Sequence, residues 1–281
     1  MKKVLHISLL FLLVFNLHVK AQYRLLGARQ AALGECGLAV ADVWASSHNQ
    51  AALALVKGYA AGVYYEDRFN LKELSLKAAA VLVPTAYGNI GVSFSSFGSE
   101  DYSEKKMGLA LAKKLGPRLA LAVQMDYFLV DQAVSYGNAM AFTTEIGILS
   151  SPVDGLTIGV HLFNPTKVKM NELGDQYLPQ VGRLGAKYEV GRQLRIMAEV
   201  SKNITTNSVY RFGMEYDLLK NISLRYGYRS LYSANSFGLG VRFAHIMVDV
   251  AASQFAGLGW NTIMGLQFQI SGTGLKAKTQ E

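Results

Sequence analysis

The chain has 281 residues, 51% of them hydrophobic and 17% charged, with 27 glycines and 5 prolines. It is more apolar than an average soluble domain, and its length allows one large all-β domain or two small ones. The formal charge of +8 comes without any Lys/Arg run of the nucleic-acid-binding kind, so no nucleic-acid partner is expected.

The first residues fix the compartment. Lys2 and Lys3 precede an apolar core, "VLHISLLFLLVFNL", and "HVKA" places Val19 and Ala21 at the −3 and −1 positions. This predicts a signal peptide over 1–21, cut after Ala21. The core is too short for a transmembrane anchor, which needs about 20 apolar residues. No later stretch reaches the length of a spanning helix without a charge, which leaves a periplasmic protein, a secreted one or an outer-membrane barrel. The leader carries Lys2, Lys3 and Lys20 and no acid, so its loss takes the charge from +8 to +5. Cys36, the single cysteine, cannot form an internal disulfide and lacks a lipobox; it reads as a buried small residue.

Residues 22–57 do not alternate. Gly27 to Ala54, "GARQAALGECGLAVADVWASSHNQAALA", is rich in alanine and glycine and nearly free of Lys and Glu. From Gly58 onward the period is two. "RLALAVQMDYFLV" sets Leu119, Leu121, Val123, Met125, Tyr127 and Leu129 against Ala120, Ala122, Gln124 and Asp126. "NISLRYGYRS" and "WNTIMGLQFQI" behave alike. About fourteen such segments fall near 58–66, 72–83, 87–97, 104–114, 117–131, 139–150, 155–164, 180–190, 192–202, 207–219, 220–230, 235–244, 246–254 and 260–270. Turn chemistry separates them, and the longest connection is Asn164 to Gln180.

A soluble sandwich would alternate too. Here the polar face mixes glycine with charge, which suits a narrow lumen. Tyr64, Tyr65, Phe97, Tyr102, Tyr127, Phe128, Tyr226, Tyr228, Tyr232 and Trp260 lie near strand ends, as interfacial girdles would. The sequence therefore predicts an all-β chain: a closed antiparallel transmembrane β-barrel of about 14 strands over 58–270, with a polar tail at 271–281. Its surroundings are outer-membrane lipid and lipopolysaccharide.

The inward set of the second half is charged and mixed in sign: Arg183, Lys187, Glu189, Arg195, Glu199, Arg211, Glu215, Asp217, Arg225, Arg229, Arg242 and Asp249. Two functions fit such a face: a lumen that selects solutes by charge, and a salt-bridged filling that closes the bore. The balance of signs favours the second and predicts low ion conductance. The first half is small inside (Gly91, Ser93, Ser95, Gly108, Ala110, Ala112). No HExxH, GxSxG, CxxC or Walker loop occurs. His48, His161 and His245 are isolated, and no spacing pairs His161 with Ser93 or Ser95. No enzyme, metal or cofactor is expected.

The stretch after the leader resembles the amino-terminal signature of the PorV/PorQ-like outer-membrane proteins, themselves similar to the FadL hydrophobic-compound transporters. Gly27, Ala28 and Arg29 match its opening, Ala32 to Gly34 its small run, Ala41 and Asp42 its A-D pair, and Asn49, Ala51, Leu53 and Ala54 its end. Glu35, Cys36, Val43, Trp44, His48 and Gln50 depart from it. "HLFNPTK", with Asn164 and Pro165, resembles the family's interior N-P turn. The resemblance implies that 22–57 is a plug of short helices in one mouth of the barrel, with Asn49 capping "QAALALV" and with Asp42 and Asn49 pairing with inward arginines.

It also implies two functions. PorV/PorQ-like proteins are scaffolds of type IX secretion, whose partners are secretion-machinery proteins and secreted cargo. FadL-like proteins carry hydrophobic molecules, which calls for an apolar inner pocket. The charged and small inner face favours the scaffold, with hydrophobic transport as the alternative.

Overall fold

The computed structural model describes residues 23–132, 138–170 and 177–270. The expected signal peptide, the polar tail and part of the long connection lie outside the described residues.

Period-two alternation folds as fourteen strands: β1 (Tyr59–Arg68), β2 (Leu71–Thr85), β3 (Gly88–Gly98), β4 (Tyr102–Lys114), β5 (Leu119–Gln132), β6 (Asn138–Val153), β7 (Leu156–Phe163), β8 (Val181–Val190), β9 (Leu194–Asn203), β10 (Val209–Leu219), β11 (Ile222–Arg229), β12 (Ala234–Phe243), β13 (Ile246–Phe255) and β14 (Gly259–Ile270). Each pairs antiparallel with its neighbours in sequence, and β14 returns to β1 in unbroken register from Tyr59↔Ile270 to Arg68↔Asn261. Lipid offers the backbone no hydrogen-bond partners, so a sheet can stand in it only when closed.

An even strand count puts both barrel termini at one mouth. The connections there are short, such as Ala86–Tyr87, Asp154–Gly155 and Ala244–His245. The opposite mouth carries the longer ones, including Asn164 to Gln180, and short turns mark the periplasmic side of such barrels.

The two faces of the wall separate cleanly. Leu109, Val123, Met125, Phe142, Leu224 and Met264 point outward and are exposed, whereas Ala110, Ala122, Gln124, Ala141, Arg225 and Ile263 point inward and are buried. An apolar belt of this extent needs acyl chains around it.

Inside runs the segment from Tyr23 to Lys57. It forms one helical turn, α1 (Ala28–Ala32), and two 3₁₀ turns, Val43–Ser47 and Gln50–Leu55. Asp42 caps the first 3₁₀ turn by accepting from the Trp44 N–H at 2.9 Å, and Asn49 caps the second by accepting from the Ala51 N–H at 3.2 Å. The segment touches the wall on every side: Leu53 faces Gly91, Asn49 faces Gly147, Leu33 faces Gly213, and α1 packs on β11 to β14. Gly34 (φ +65) meets Gly227 backbone to backbone, where either glycine's missing Cβ leaves the only room. Small inward residues of the wall are thus the imprint of this segment.

Two expectations need correction. Tyr64, Phe97, Tyr102 and Phe128 do not join an interfacial girdle. Tyr64 and Phe128 are buried in the lumen, Tyr64 edge-on to Trp44 at 5.7 Å. Phe97 lies under the Arg24 guanidinium at 3.7 Å, and the Tyr102 hydroxyl donates to Glu104 at 2.6 Å. Each follows the inward parity of its strand. Nor do Asp42 and Asn49 pair with arginines of the wall. Asp42 takes Gln30 Nε2 at 2.9 Å and lies 3.6 Å from Arg29 of its own segment. Asn49 donates to the carbonyls of Leu38 and Ile148. Both side chains are used up by nearer groups before an arginine of the wall could reach them.

Candidate lumen site

The lumen has two chemically distinct sides. On the β8 to β13 side, register sets charges in rows. Glu215 stands opposite Arg195 on β9 and Arg225 on β11. It accepts from Arg195 Nε and Arg225 Nε at 2.6 Å each, and from Arg29 of the inner segment in a fork at 2.8 and 2.6 Å. Arg225 reaches on to Asp249 at 2.6 Å, and Arg195 to Asp217 at 2.6 Å. Glu199 accepts from Arg183 at 2.6 Å and from the N–H groups of Gly37 and Leu38 at 2.7 Å each. Glu35, from the segment, is held by Arg229 and, at 3.4 Å, by Arg211.

Burial alone would raise the Glu35 carboxyl, but Arg229 and Arg211 outweigh it and hold it down at about 2. Burial pushes His48 down to about 3, so it sits neutral with Nε2 donating to the Leu26 carbonyl at 2.7 Å. Cys36 is buried.

Of the remaining candidates, Gly27 (φ +107) sits against Trp44 and Ala28 packs on Gly265. Asn164 adopts φ 51 at the foot of the long connection. Its Oδ1 accepts from Thr143 at 2.9 Å and from the Val168 N–H at 3.0 Å, while Pro165 is exposed. Arg242 does not join the network: it is exposed at the end of β12, because its inward parity falls beyond the reach of the acids.

The β4 to β7 side was not legible as a site. Phe128, Val130, Ala139, Ala141, Phe163 and Val181 form an apolar lining, covered by Met170 and Leu178 of the long connection. Beneath it sits a polar floor: Lys106 contacts Glu145 and lies 3.3 Å from Asp126, and His161 Nε2 donates to Glu145 at 2.7 Å. The ring of Tyr23 lies between lining and floor, 4.6 Å from Phe163 and 6.0 Å from His161. Lys106 Nζ stands 5.4 Å from the Phe128 and Phe163 centroids. The sequence signal was there in the inward parity of Lys106, Asp126, Glu145 and His161, but sparse charges among alanines read as an empty wall.

No family model and no curated protein matches the chain. Among solved structures it is similar to the toluene transporter TbuX of Ralstonia pickettii (TM-score 0.67, 12% identity, 92% of this chain and 100% of that one). It is likewise similar to the monoaromatic hydrocarbon channel CymD (0.66, 11%, 88% and 98%). A third is a Pseudomonas aeruginosa FadL homologue (0.58, 12%, 86% and 96%). The fold is FadL-like. At these identities the likeness is one of fold, and it extends over nearly the whole of each barrel.

Proposed function

We propose that this chain is an outer-membrane barrel, surrounded by phospholipid and lipopolysaccharide, that passes small hydrophobic molecules without chemical change. The observation that carries this reading is the apolar, aromatic lining under the long connection, set in an otherwise charged lumen. A concave apolar surface with a few convergent polar groups is the ordinary form of a small-molecule site. The similarity to barrels described as toluene and hydrocarbon transporters supports it.

The secretion-scaffold reading loses its ground for a physical reason. The motif behind it, Gly27 to Ala54, is almost wholly buried inside the wall. Its glycines and alanines are explained by fit to the lumen and leave little surface for a protein partner. The structures named above are described as a toluene transporter, a hydrocarbon channel and a FadL homologue.

The test is uptake. Vesicles bearing the barrel are expected to admit toluene-sized aromatics faster than empty vesicles, and lipid extracts of the purified protein to contain hydrocarbons. Equal rates, together with co-purified secretion proteins, would overturn the proposal.

A further inference from the structure

Tyr23 fills its pocket as a ligand would. Its ring packs on Phe163, and its hydroxyl is engaged twice: Arg183 Nη1 donates to it at 3.4 Å, and it faces His161 Nδ1 at 3.3 Å. His161 Nε2 faces the Glu145 carboxylate and so carries the ring proton. Nδ1 is then left as an acceptor, to which the Tyr23 hydroxyl donates. Arg183 can only donate. The pocket thus offers one donor and one acceptor converging on a single oxygen at the edge of an aromatic ring. Burial pushes the Tyr23 phenol up to about 12, which keeps it a neutral donor.

Tyr23 is lightly held compared with its neighbour. Arg24 is forked onto Glu104 and stacked on Phe97, whereas Tyr23 packs on the apolar lining with Phe163 4.6 Å away, and its hydrogen bonds among the described residues are 3.3 and 3.4 Å long. Departure of the Tyr23 side chain would leave the Arg24 anchor intact.

We infer that this pocket is a binding site for hydroxylated aromatics of the phenol type, occupied in this structure by Tyr23 as the chain's own stand-in. This rests on the transport reading above and names its cargo class. A plain hydrocarbon would leave His161 Nδ1 without a donor in a buried site, and sites built around a hydroxyl reject analogues lacking one more strongly than apolar pockets reject an added one.

The experiment uses the full barrel in detergent, with phenol and toluene as probes and thermal unfolding and ligand-observed NMR as readouts. Tyr23→Ala is expected to bind phenol about tenfold more tightly than toluene, and about tenfold more tightly than the wild-type chain does. Tyr23→Phe keeps a ring in place but leaves His161 Nδ1 without its donor, and is expected to bind phenol more tightly than the wild-type chain and less tightly than Tyr23→Ala. Equal affinity of Tyr23→Ala for phenol and toluene overturns the hydroxyl assignment. Phenol binding by Tyr23→Phe equal to that of Tyr23→Ala overturns the role of the ring as occupant. If Tyr23→Ala does not fold, the wild-type chain still decides: saturation transfer to phenol and none to toluene supports the site, and the reverse sinks it. Phenol binding without passage of any aromatic into vesicles would sink the transport reading and leave the site standing. Passage of toluene with no phenol binding would do the opposite.

Discussion

The two sides of the lumen solve the same packing problem in opposite ways. Toward β9, β10 and β11, the inner segment is stitched to the wall by arginine forks, and Glu215 alone gathers three guanidinium groups. Toward β5, β6 and β7, contact is made by rings over a small polar floor. A buried charge network has few alternative arrangements, because each broken pair strands an ion. An aromatic pocket can exchange one ring for another at little cost. The first side fixes the segment in place; on the function proposed above, the second is where a ligand enters.

The largest expected effect breaks the fixed side. Glu215→Gln leaves Arg29, Arg195 and Arg225 facing a neutral amide, and a loss of about 3–5 kcal/mol is expected, read as a lower midpoint of thermal unfolding in detergent. Gly227→Ala acts on the same side without touching charge. Its Cβ would run into the backbone of Leu33 and Gly34. The inner segment is expected to be displaced, raising conductance in planar bilayers above that of the wild-type chain and opening residues 23–57 to protease. Unchanged conductance would show that the segment can shift aside without unblocking the bore.

A third prediction concerns pH. His48 has a folded pKa of about 3 against an ordinary 6.5. Its neutral burial therefore contributes fully above pH 6.5 and is lost as pH falls from 6.5 toward 3. His48→Gln is expected to flatten the fall in unfolding midpoint across that window. Glu35, held at about 2, contributes above the ordinary carboxylate value and is lost only as pH falls from there toward 2. Its clamp is thus expected to outlast that of His48 on acidification. The smallest effect marks the edge of the network: Arg242→Gln, at an exposed strand end, is expected to change stability by less than about 0.5 kcal/mol.

The wall was legible in the sequence because a strand writes its two faces directly into alternate residues. All fourteen strands fall within a few residues of the expected ranges, and the partition of β5 into Leu119, Leu121 and Val123 against Ala120, Ala122 and Gln124 is the one observed. What alternation cannot give is depth along the bore. Arg225 and Arg242 both carry inward parity, yet the first is buried among acids and the second ends in solvent. Tyr64 and Phe128 carry inward parity too, so alternation itself takes them out of the girdle that their nearness to strand ends suggested. The partners of Asp42 and Asn49 were unreadable for another reason: a capping residue looks the same in sequence as one free to pair at a distance. The Tyr23 pocket was unreadable because it is built across five strands, β4 to β8, and the segment ahead of β1, a juxtaposition that alternation along one strand does not show.

The seam between β1 and β14 closes around residues that precede β1, and α1 of that stretch packs on β14 beside it. Damage to the inner stretch is therefore expected to weaken the seal between the first and last strands as well as to empty the bore.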